Sequence, residues 1–113
     1  MIVRTCALLL AAAALCVAAG KSPADDAPPP ELKLANGRFD PPEVIVQANK
    51  AFTLRVTNAG ATASEFESFE LHRERVVQPG ETITVYLPAL DPGKYPFFDD
   101  FNHDTPGGVI VAQ

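Results

Sequence analysis

Carboxylates and a histidine concentrate in two stretches of this 113-residue chain. The first stretch contains Glu65 and Glu67, with Phe66 between them. The second combines carboxylates with an imidazole over a short span and contains Asp99, Asp100, His103 and Asp104. Carboxylate oxygens and imidazole nitrogens are suitable ligands for Fe, Cu(II), Zn or Mn. The second stretch therefore indicates a metal site, and a surface turn carrying a surface histidine is the alternative that the residues leave open.

The spacing of Glu65 and Glu67 places both side chains on one face if the segment is a strand. Two adjacent carboxylates repel each other unless a cation or a basic residue lies between them. A solvated strand face with Arg73 and Arg75 as partners is the alternative to a metal site here. The next titratable residues could form a satellite site, although such groups are more often solvated side chains: Glu70, His72 and Glu74.

The sequence contains no motif for nucleophilic catalysis or phosphate binding. Neither Gly-x-Ser-x-Gly nor His-Glu-x-x-His occurs. The dipeptide Gly107-Gly108 is followed by an apolar strand pattern and not by a helix, which argues against a phosphate loop. The net charge of −5 and the scattered basic residues disfavour a nucleic-acid surface. We therefore predict a binding protein, not an enzyme, with no nucleic-acid partner.

The elements that must position these residues are strands. Apolar and polar residues alternate, or form short apolar runs, in segments 32–34, 44–46, 52–56, 83–87, 95–97 and 109–111. Turn residues such as Asn36-Gly37 and Pro79-Gly80 separate them. The pattern predicts an all-β fold, a Greek-key β-sandwich over residues 31–113. In that fold Tyr95 and Phe97 enter the core, and the acidic loop follows the strand that contains them.

The first residues predict export. Residues 1–19 combine a positive charge at Arg4, an apolar stretch and small residues before Gly20, which is the pattern of a secretory signal peptide. Cleavage after residue 24 is an alternative, and a retained anchor helix is disfavoured. A lipoprotein is also disfavoured, because Leu15 precedes Cys16. Residues 20–30 form a Pro-rich linker. We therefore expect a periplasmic protein with no membrane span after cleavage.

Cleavage would remove both cysteines, Cys6 and Cys16, so the mature domain would contain no thiol and no disulfide. The domain must then be stabilised by its apolar core alone. Loss of Arg4 also makes the mature chain more acidic.

Four segments resemble the strands and loops of cupredoxins. They are residues 37–46 (GRFDPPEVIV), residues 52–58 (FTLRVTN), Pro79-Gly80-Glu81 before a strand, and residues 92–97 (PGKYPF) leading into the acidic loop. The resemblance covers nearly all of residues 31–113 and implies a cupredoxin-like sandwich. The four ligands of a blue-copper member would fall near Glu65, Asp99, His103 and Pro106. Only His103 matches, and no thiolate is available, so the comparison argues against a type 1 copper site.

The Glu65-Phe66-Glu67 motif followed by residues 74–80 (ERVVQPG) resembles the EfeO-type cupredoxin-like subfamily. This resemblance implies a periplasmic protein that binds iron or copper. It also implies partners, namely an FTR-type iron permease and other periplasmic components of iron uptake. Carboxylate ligands in place of thiolate and thioether would favour Fe(III) or Cu(II). The expected ligands are Glu65, Glu67, Asp99, Asp100 and His103, with Phe66, Phe98 and Phe101 shielding the site from water.

Two other functions remain as alternatives. A cupredoxin fold without metal could serve as an interaction module that docks onto a partner of the uptake complex. An independent oxidase acting on Fe(II) is disfavoured, because one small domain has no second copper site.

Overall fold

The computed structural model describes residues 13–18, 20 and 27–113. These residues contain nine strands and no helix. In chain order the strands are β1 (Glu31–Ala35), β2 (Arg38–Asp40), β3 (Glu43–Val46), β4 (Phe52–Asn58), β5 (Ser64–Ser68), β6 (Arg73–Val77), β7 (Thr82–Leu87), β8 (Gly93–Asp99) and β9 (Gly108–Ala112). The all-β prediction is confirmed, and the strands predicted from alternation all form.

The strands make two mixed sheets. The four-stranded sheet has the order β2-β1-β4-β7, and the five-stranded sheet has the order β3-β9-β8-β5-β6. Each sheet contains one parallel pair, β1 with β4 and β3 with β9. This is a Greek-key β-sandwich, as the sequence pattern predicts. Its strands alternate buried and exposed side chains, for instance in β1 and β3, because successive residues of a strand point to opposite faces.

The core holds a group of three phenylalanines beneath the site described below. Phe97 lies 4.9 Å from Phe39 and 5.3 Å from Phe66, measured between ring centroids. The Phe39 and Phe97 rings meet edge to face, the geometry that aromatic pairs favour. Phe66 and Phe97 are fully or almost fully buried. The middle of β5 and of β8 is therefore fixed by apolar packing on its inner side.

Two tight turns position the ends of the strands. Asn36 and Gly37 both have positive φ, 52° and 74°, in the short connection between β1 and β2. A side chain on Gly37 would collide with Asn102 and Thr105, so the loop after β8 packs closely on this turn. The four residues between β5 and β6 include His72, which also has a positive φ of 53°. Buried Leu71 anchors this second turn to the core.

The predicted signal peptide and linker lie largely outside the described residues. Of the cysteines, Cys16 falls within them and is exposed as a free thiol. Within the described part of the chain, no helix is long and apolar enough to cross a membrane.

Candidate metal site

The candidate site lies on the outer face of the five-stranded sheet, where β5 runs between β6 and β8. Glu65 and Glu67 share this face, because they are two residues apart in a strand. The register pairs Glu67 with Glu74 on β6 and with Phe98 on β8. Asp100 follows the last residue of β8, and its amide donates to the Glu65 carbonyl at 3.0 Å. Three adjacent segments therefore deliver carboxylates to one spot.

Glu65, Glu67 and Asp100 form a compact carboxylate trio. One carboxylate oxygen from each residue lies within 4.8 Å of the others. Glu65 is buried, with 7% of its surface exposed, while Glu67 and Asp100 are partly exposed. The Oε1 atom of Glu65 is buried and has no hydrogen-bond partner among the described residues. Buried polar atoms usually have a partner, so this orphaned oxygen indicates a site that a cation could complete.

The electrostatics of the trio favour a positive charge. Burial raises the pKa of Glu65 to about 7. The neighbouring Glu74 carboxyl contributes to this shift by favouring the protonated form through hydrogen bonding and by charge repulsion, and Asp100 and Glu67 add smaller repulsions. Burial also raises the pKa of Glu67, assisted by Asp100 and Glu74 and opposed by His103. Glu65 and Glu67 thus resist ionisation beside their acidic neighbours, and a bound cation would remove that resistance.

His103 lies at the edge of the trio. Its Nε2 is 3.2 Å from Oδ1 of Asp100, and its side chain is 70% exposed. The imidazole ring is 6.4 Å from the ring of Phe98, between centroids. His103 therefore contacts one of the three carboxylates from the solvent side.

Asp99, a predicted ligand, lies outside the trio. Its side chain shares the inner face with Phe97 and is 1% exposed. Both carboxylate oxygens already accept hydrogen bonds, Oδ1 from the amides of Glu65 and Phe101, and Oδ2 from the Asn102 side chain. The neighbouring Asp100, which is also a predicted ligand, is the aspartate that belongs to the trio. Side chains of a strand alternate between its two faces. Asp99 comes two residues after Phe97, so it points into the core as Phe97 does.

The phenylalanines expected to shield the site divide into two groups. Phe66 points into the core towards Phe39 and Phe97 and does not cover the trio, which corrects the sequence-based expectation. Phe98 lies on the outer face, packed on Phe69 at 5.3 Å and on His103. Phe101 is 50% exposed on the loop. Only part of the expected aromatic shield is therefore present.

Glu74 has a different place from the one its sequence context indicates. The sequence places it with Glu70 and His72, either in a satellite site or as a solvated side chain, but in the structure it lies opposite Glu67 and interacts with Glu65. The four-residue turn between β5 and β6 sets this register, so the length of the turn was the signal that could have placed Glu74. Among the described residues, no cluster of potential metal ligands forms around Glu70 and His72.

The two arginines considered as partners of the acidic pair serve elsewhere. The Arg73 guanidinium donates to the carbonyl oxygens of Tyr86, Leu71 and His72. Arg75 pairs in register with Phe66 and so lies on the opposite face of the strand pair from Glu65 and Glu67. Neither arginine neutralises the trio, which leaves its negative charge available to a cation.

Comparison with known proteins agrees with this fold. The chain matches the family model of the cupredoxin-like domain over residues 6–112, and it belongs to that family. An uncharacterized protein of Rickettsia prowazekii (strain Madrid E) is 40% identical over 83 residues. The match covers 74% of this chain and 66% of the relative, so the chain spans just under two thirds of that protein.

Solved cupredoxin structures share the fold at low sequence identity. An auracyanin from Roseiflexus castenholzii superposes with a TM-score of 0.64 at 14% identity, covering 74% of this chain and 94% of its own. A purple cupredoxin from Nitrosopumilus maritimus gives 0.59 at 12% identity, with coverages of 74% and 99%. Amicyanin from Paracoccus versutus gives 0.58 at 16% identity, with coverages of 80% and 88%. At these identities the likeness establishes the fold alone.

The residues present do not fit a type 1 copper centre. The position expected to correspond to the thiolate holds Asp99, and both of its oxygens are engaged by N–H donors. The described residues around the trio offer carboxylates and one imidazole, which are harder ligands than thiolate and thioether. The donor set fits a hard cation with oxygen ligands.

Proposed function

We propose that this cupredoxin-like protein binds a hard metal ion, iron or Cu(II), through Glu65, Glu67 and Asp100. The observation that carries the proposal is the orphaned Oε1 of Glu65, buried beside two further carboxylates. A cation would supply the partner that this oxygen lacks and would compensate the mutual repulsion of the trio. Without a cation, the trio reduces its repulsion by keeping Glu65 partly protonated, in agreement with its raised pKa.

Oxygen ligands determine which metals the site prefers. Carboxylates stabilise Fe(III) more than Fe(II), and Cu(II) more than Cu(I). A site that binds Fe(III) more tightly than Fe(II) makes bound Fe(II) easier to oxidise, by linkage. His103, beside Asp100, would add a nitrogen ligand that Cu(II) accepts well. The protein acts as a carrier with an accessory role in Fe(II) oxidation, not as an enzyme.

The physiological role that we propose is support of iron uptake in the periplasm. The chain would pass iron towards a membrane permease, with other periplasmic uptake components as partners. What supports this role is the resemblance of the Glu65-Phe66-Glu67 motif to the EfeO-type subfamily, together with the predicted signal peptide. Growth of the source organism under iron limitation tests it. A deletion strain should need more iron, and wild-type protein should rescue it where a Glu65→Gln, Glu67→Gln variant does not.

Metal titration tests the site directly. The purified, chelator-treated mature protein is titrated with Fe(II) under anaerobic conditions, with Fe(III) citrate, and with Cu(II), by calorimetry and thermal unfolding. At a free metal concentration of 100 times Kd, we expect stabilisation of about 2.7 kcal/mol, or about 10 °C or more in Tm for a domain of this size. Absence of stabilisation by all three metals would overturn the proposed function.

Variants locate the bound metal. Glu65→Gln, Glu67→Gln and Asp100→Asn should each weaken binding by at least the roughly 10- to 100-fold typical of losing a partner of a metal ligand. Glu70→Gln is the matched control, since it removes a carboxylate from an exposed turn of the same hairpin. If Glu70→Gln and His72→Ala weaken binding and the trio variants do not, the site lies at the turn.

A metal-free interaction module is a second candidate, and one feature favours it. Large apolar side chains are exposed around the trio: Phe69 is 67% exposed, Phe101 50% and Val76 42%. Such a face could dock onto a partner of the uptake complex whether or not a metal is bound. The two functions differ in the titration, because the interaction module shows no stabilisation by metal.

A further inference from the structure

The Asp99 carboxylate is buried and accepts hydrogen bonds from three N–H donors. Its side chain is 1% exposed. Oδ1 accepts from the amide of Glu65 at 2.9 Å and from the amide of Phe101 at 3.0 Å. Oδ2 accepts from Nδ2 of Asn102 at 2.8 Å. One carboxylate thus joins β5 to the two residues that follow Asp100 on the loop.

These bonds determine where two members of the trio lie relative to each other. The Glu65 amide is held by Asp99, and the Glu65 carbonyl accepts from the Asp100 amide at 3.0 Å. Asp100 lies between Asp99 and Phe101, both of which take part in the same group of hydrogen bonds. The backbone on both sides of Asp100 is therefore tied to the backbone of Glu65 before any cation enters the site.

We infer that Asp99 is a positioning residue for the carboxylate trio, acting through the Glu65 amide and the Asn102 side chain. The inference rests on the proposed function, because it assigns Asp99 a part in the same metal site. A preformed site avoids the ordering entropy that a flexible loop would lose on binding. Outer hydrogen bonds of this kind orient the ligands of metal sites and strengthen their affinity.

The geometry separates this role from that of a ligand. To coordinate a metal in the trio, Asp99 would have to rotate from the inner to the outer side of β8. That movement would leave the buried amide of Glu65 and the partly buried amide of Phe101 without their acceptor. Asp100 already reaches the outer side without any such loss. Asp99 therefore supports the trio from the inner face of the sheet.

A reciprocal exchange of side chains tests the inference. Asp99→Asn retains one oxygen for the two amides but turns an NH₂ group towards the NH₂ of Asn102. Adding Asn102→Asp restores the hydrogen bond between the two side chains, with position 99 now donating and position 102 accepting. It also restores the net charge. Asn102→Ala removes only the side-chain donor and serves as a milder variant if Asp99→Asn does not fold. Wild type and variants are titrated with Fe(II), Fe(III) citrate and Cu(II), and amide hydrogen exchange is followed at Glu65 and Phe101.

A positioning role predicts a specific pattern. Asp99→Asn and Asn102→Ala should each weaken metal binding about 10- to 100-fold and speed amide exchange at Glu65 and Phe101. The exchanged pair should recover most of both losses. If the exchanged pair binds metal as weakly as Asp99→Asn while Asn102→Ala binds normally, Asp99 is a ligand and the inference is wrong.

Two further outcomes also decide the matter. If the wild type binds metal and all folded variants bind it equally well, Asp99 has no part in the site and the inference alone fails. If the wild type binds none of the three metals, the proposed function fails and the inference falls with it. Faster amide exchange at Glu65 in Asp99→Asn would then show that the hydrogen bonds exist without serving a metal site.

Discussion

The inner and outer faces of β5 and β8 have opposite chemistry. The inner face carries Phe66 and Phe97, packed in a buried aromatic group. The outer face carries Glu65 and Glu67, which meet Asp100 in the carboxylate trio. A single backbone presents both, because side chains of a strand alternate between faces. The inner face stabilises the fold, and the outer face contributes repulsion that the inner face must offset.

This contrast explains how a domain with no cysteine in residues 27–113 could maintain an unfavourable cluster of charges. Burial of apolar side chains contributes about 1.5–3 kcal/mol for each large residue, and many such residues fill the core between the sheets. The trio lies on the outer face of strands whose inner side chains are packed in that core. The site can therefore remain open to a cation without collapsing around its own carboxylates.

The largest expected effect comes from the inner face. Phe97→Ala should destabilise the domain by about 3–5 kcal/mol, the usual loss for a large buried aromatic. Phe69→Ala is the control, since that side chain is 67% exposed on the outer side, and its loss should be within about 0.5–1 kcal/mol. Urea unfolding of the two variants measures the difference. Equal losses of stability in the two variants would contradict the difference in burial between Phe97 and Phe69.

The pH dependence of stability tests the outer face of the metal-free protein. The pKa of Glu65 rises from 4.5 to about 7 on folding, so the folded state binds more protons than the unfolded state between these values. Stability must then fall as the pH rises from about 4.5 to 7, by the linkage relation. The whole shift corresponds to about 3 kcal/mol, and solvent reaching the outer face reduces the expected loss to roughly 1–3 kcal/mol.

Glu65→Gln should remove most of this pH dependence, because an amide does not titrate. Urea unfolding of wild type and variant at pH 5 and pH 8, with a chelator present, measures it. A wild-type protein that is more stable at pH 8 than at pH 5 would contradict the predicted sign. An unchanged slope in Glu65→Gln would assign the titration to another group.

Sequence patterns predicted the inner face better than the outer one. Alternation located β4, β7 and β8, and it placed Phe97 in the core. The same alternation also assigns Asp99 and Asp100 to opposite faces, because Asp99 lies two residues after Phe97 and therefore shares its face. The ligand assignment from the sequence places both aspartates where the strand ends and includes both as ligands, although Asp99 belongs to the strand. The alternation of side chains along the strand, and not the density of acidic residues, determines which aspartate faces the site.

The part that the sequence could not predict depends on pairing between strands. β6 has exposed residues at most positions and shows no alternation, so its strand character arises from pairing with β5. Glu74 therefore had no visible relation to Glu67, which lies opposite it. The orphaned oxygen of Glu65 is likewise a property of three segments packed together. Resemblance to a family indicated a metal site, and the register shows which side chains meet there.

Glu74 allows a finer test of the outer face. It raises the pKa of Glu65 by favouring the protonated form through hydrogen bonding and by charge repulsion, but it lies outside the trio. Glu74→Gln should therefore lower the pKa of Glu65 and move the pH-dependent loss of stability to lower pH. Its effect on metal affinity should be smaller than that of Glu65→Gln. Glu70→Gln, on the adjacent turn, should leave the pH profile in place, and an equal shift in both variants would indicate a general charge effect.

The smallest expected effect concerns His103. Its exposed ion pair with Asp100 should contribute at most about 1 kcal/mol to stability, so His103→Ala should barely change urea unfolding. Its effect should instead appear in the metal-bound state. Electron paramagnetic resonance of the Cu(II) form should show nitrogen hyperfine coupling in the wild type and lose it in His103→Ala, with His72→Ala as the matched control. If the coupling persists in His103→Ala, the imidazole beside Asp100 is not a ligand, and the site is formed by oxygen atoms alone.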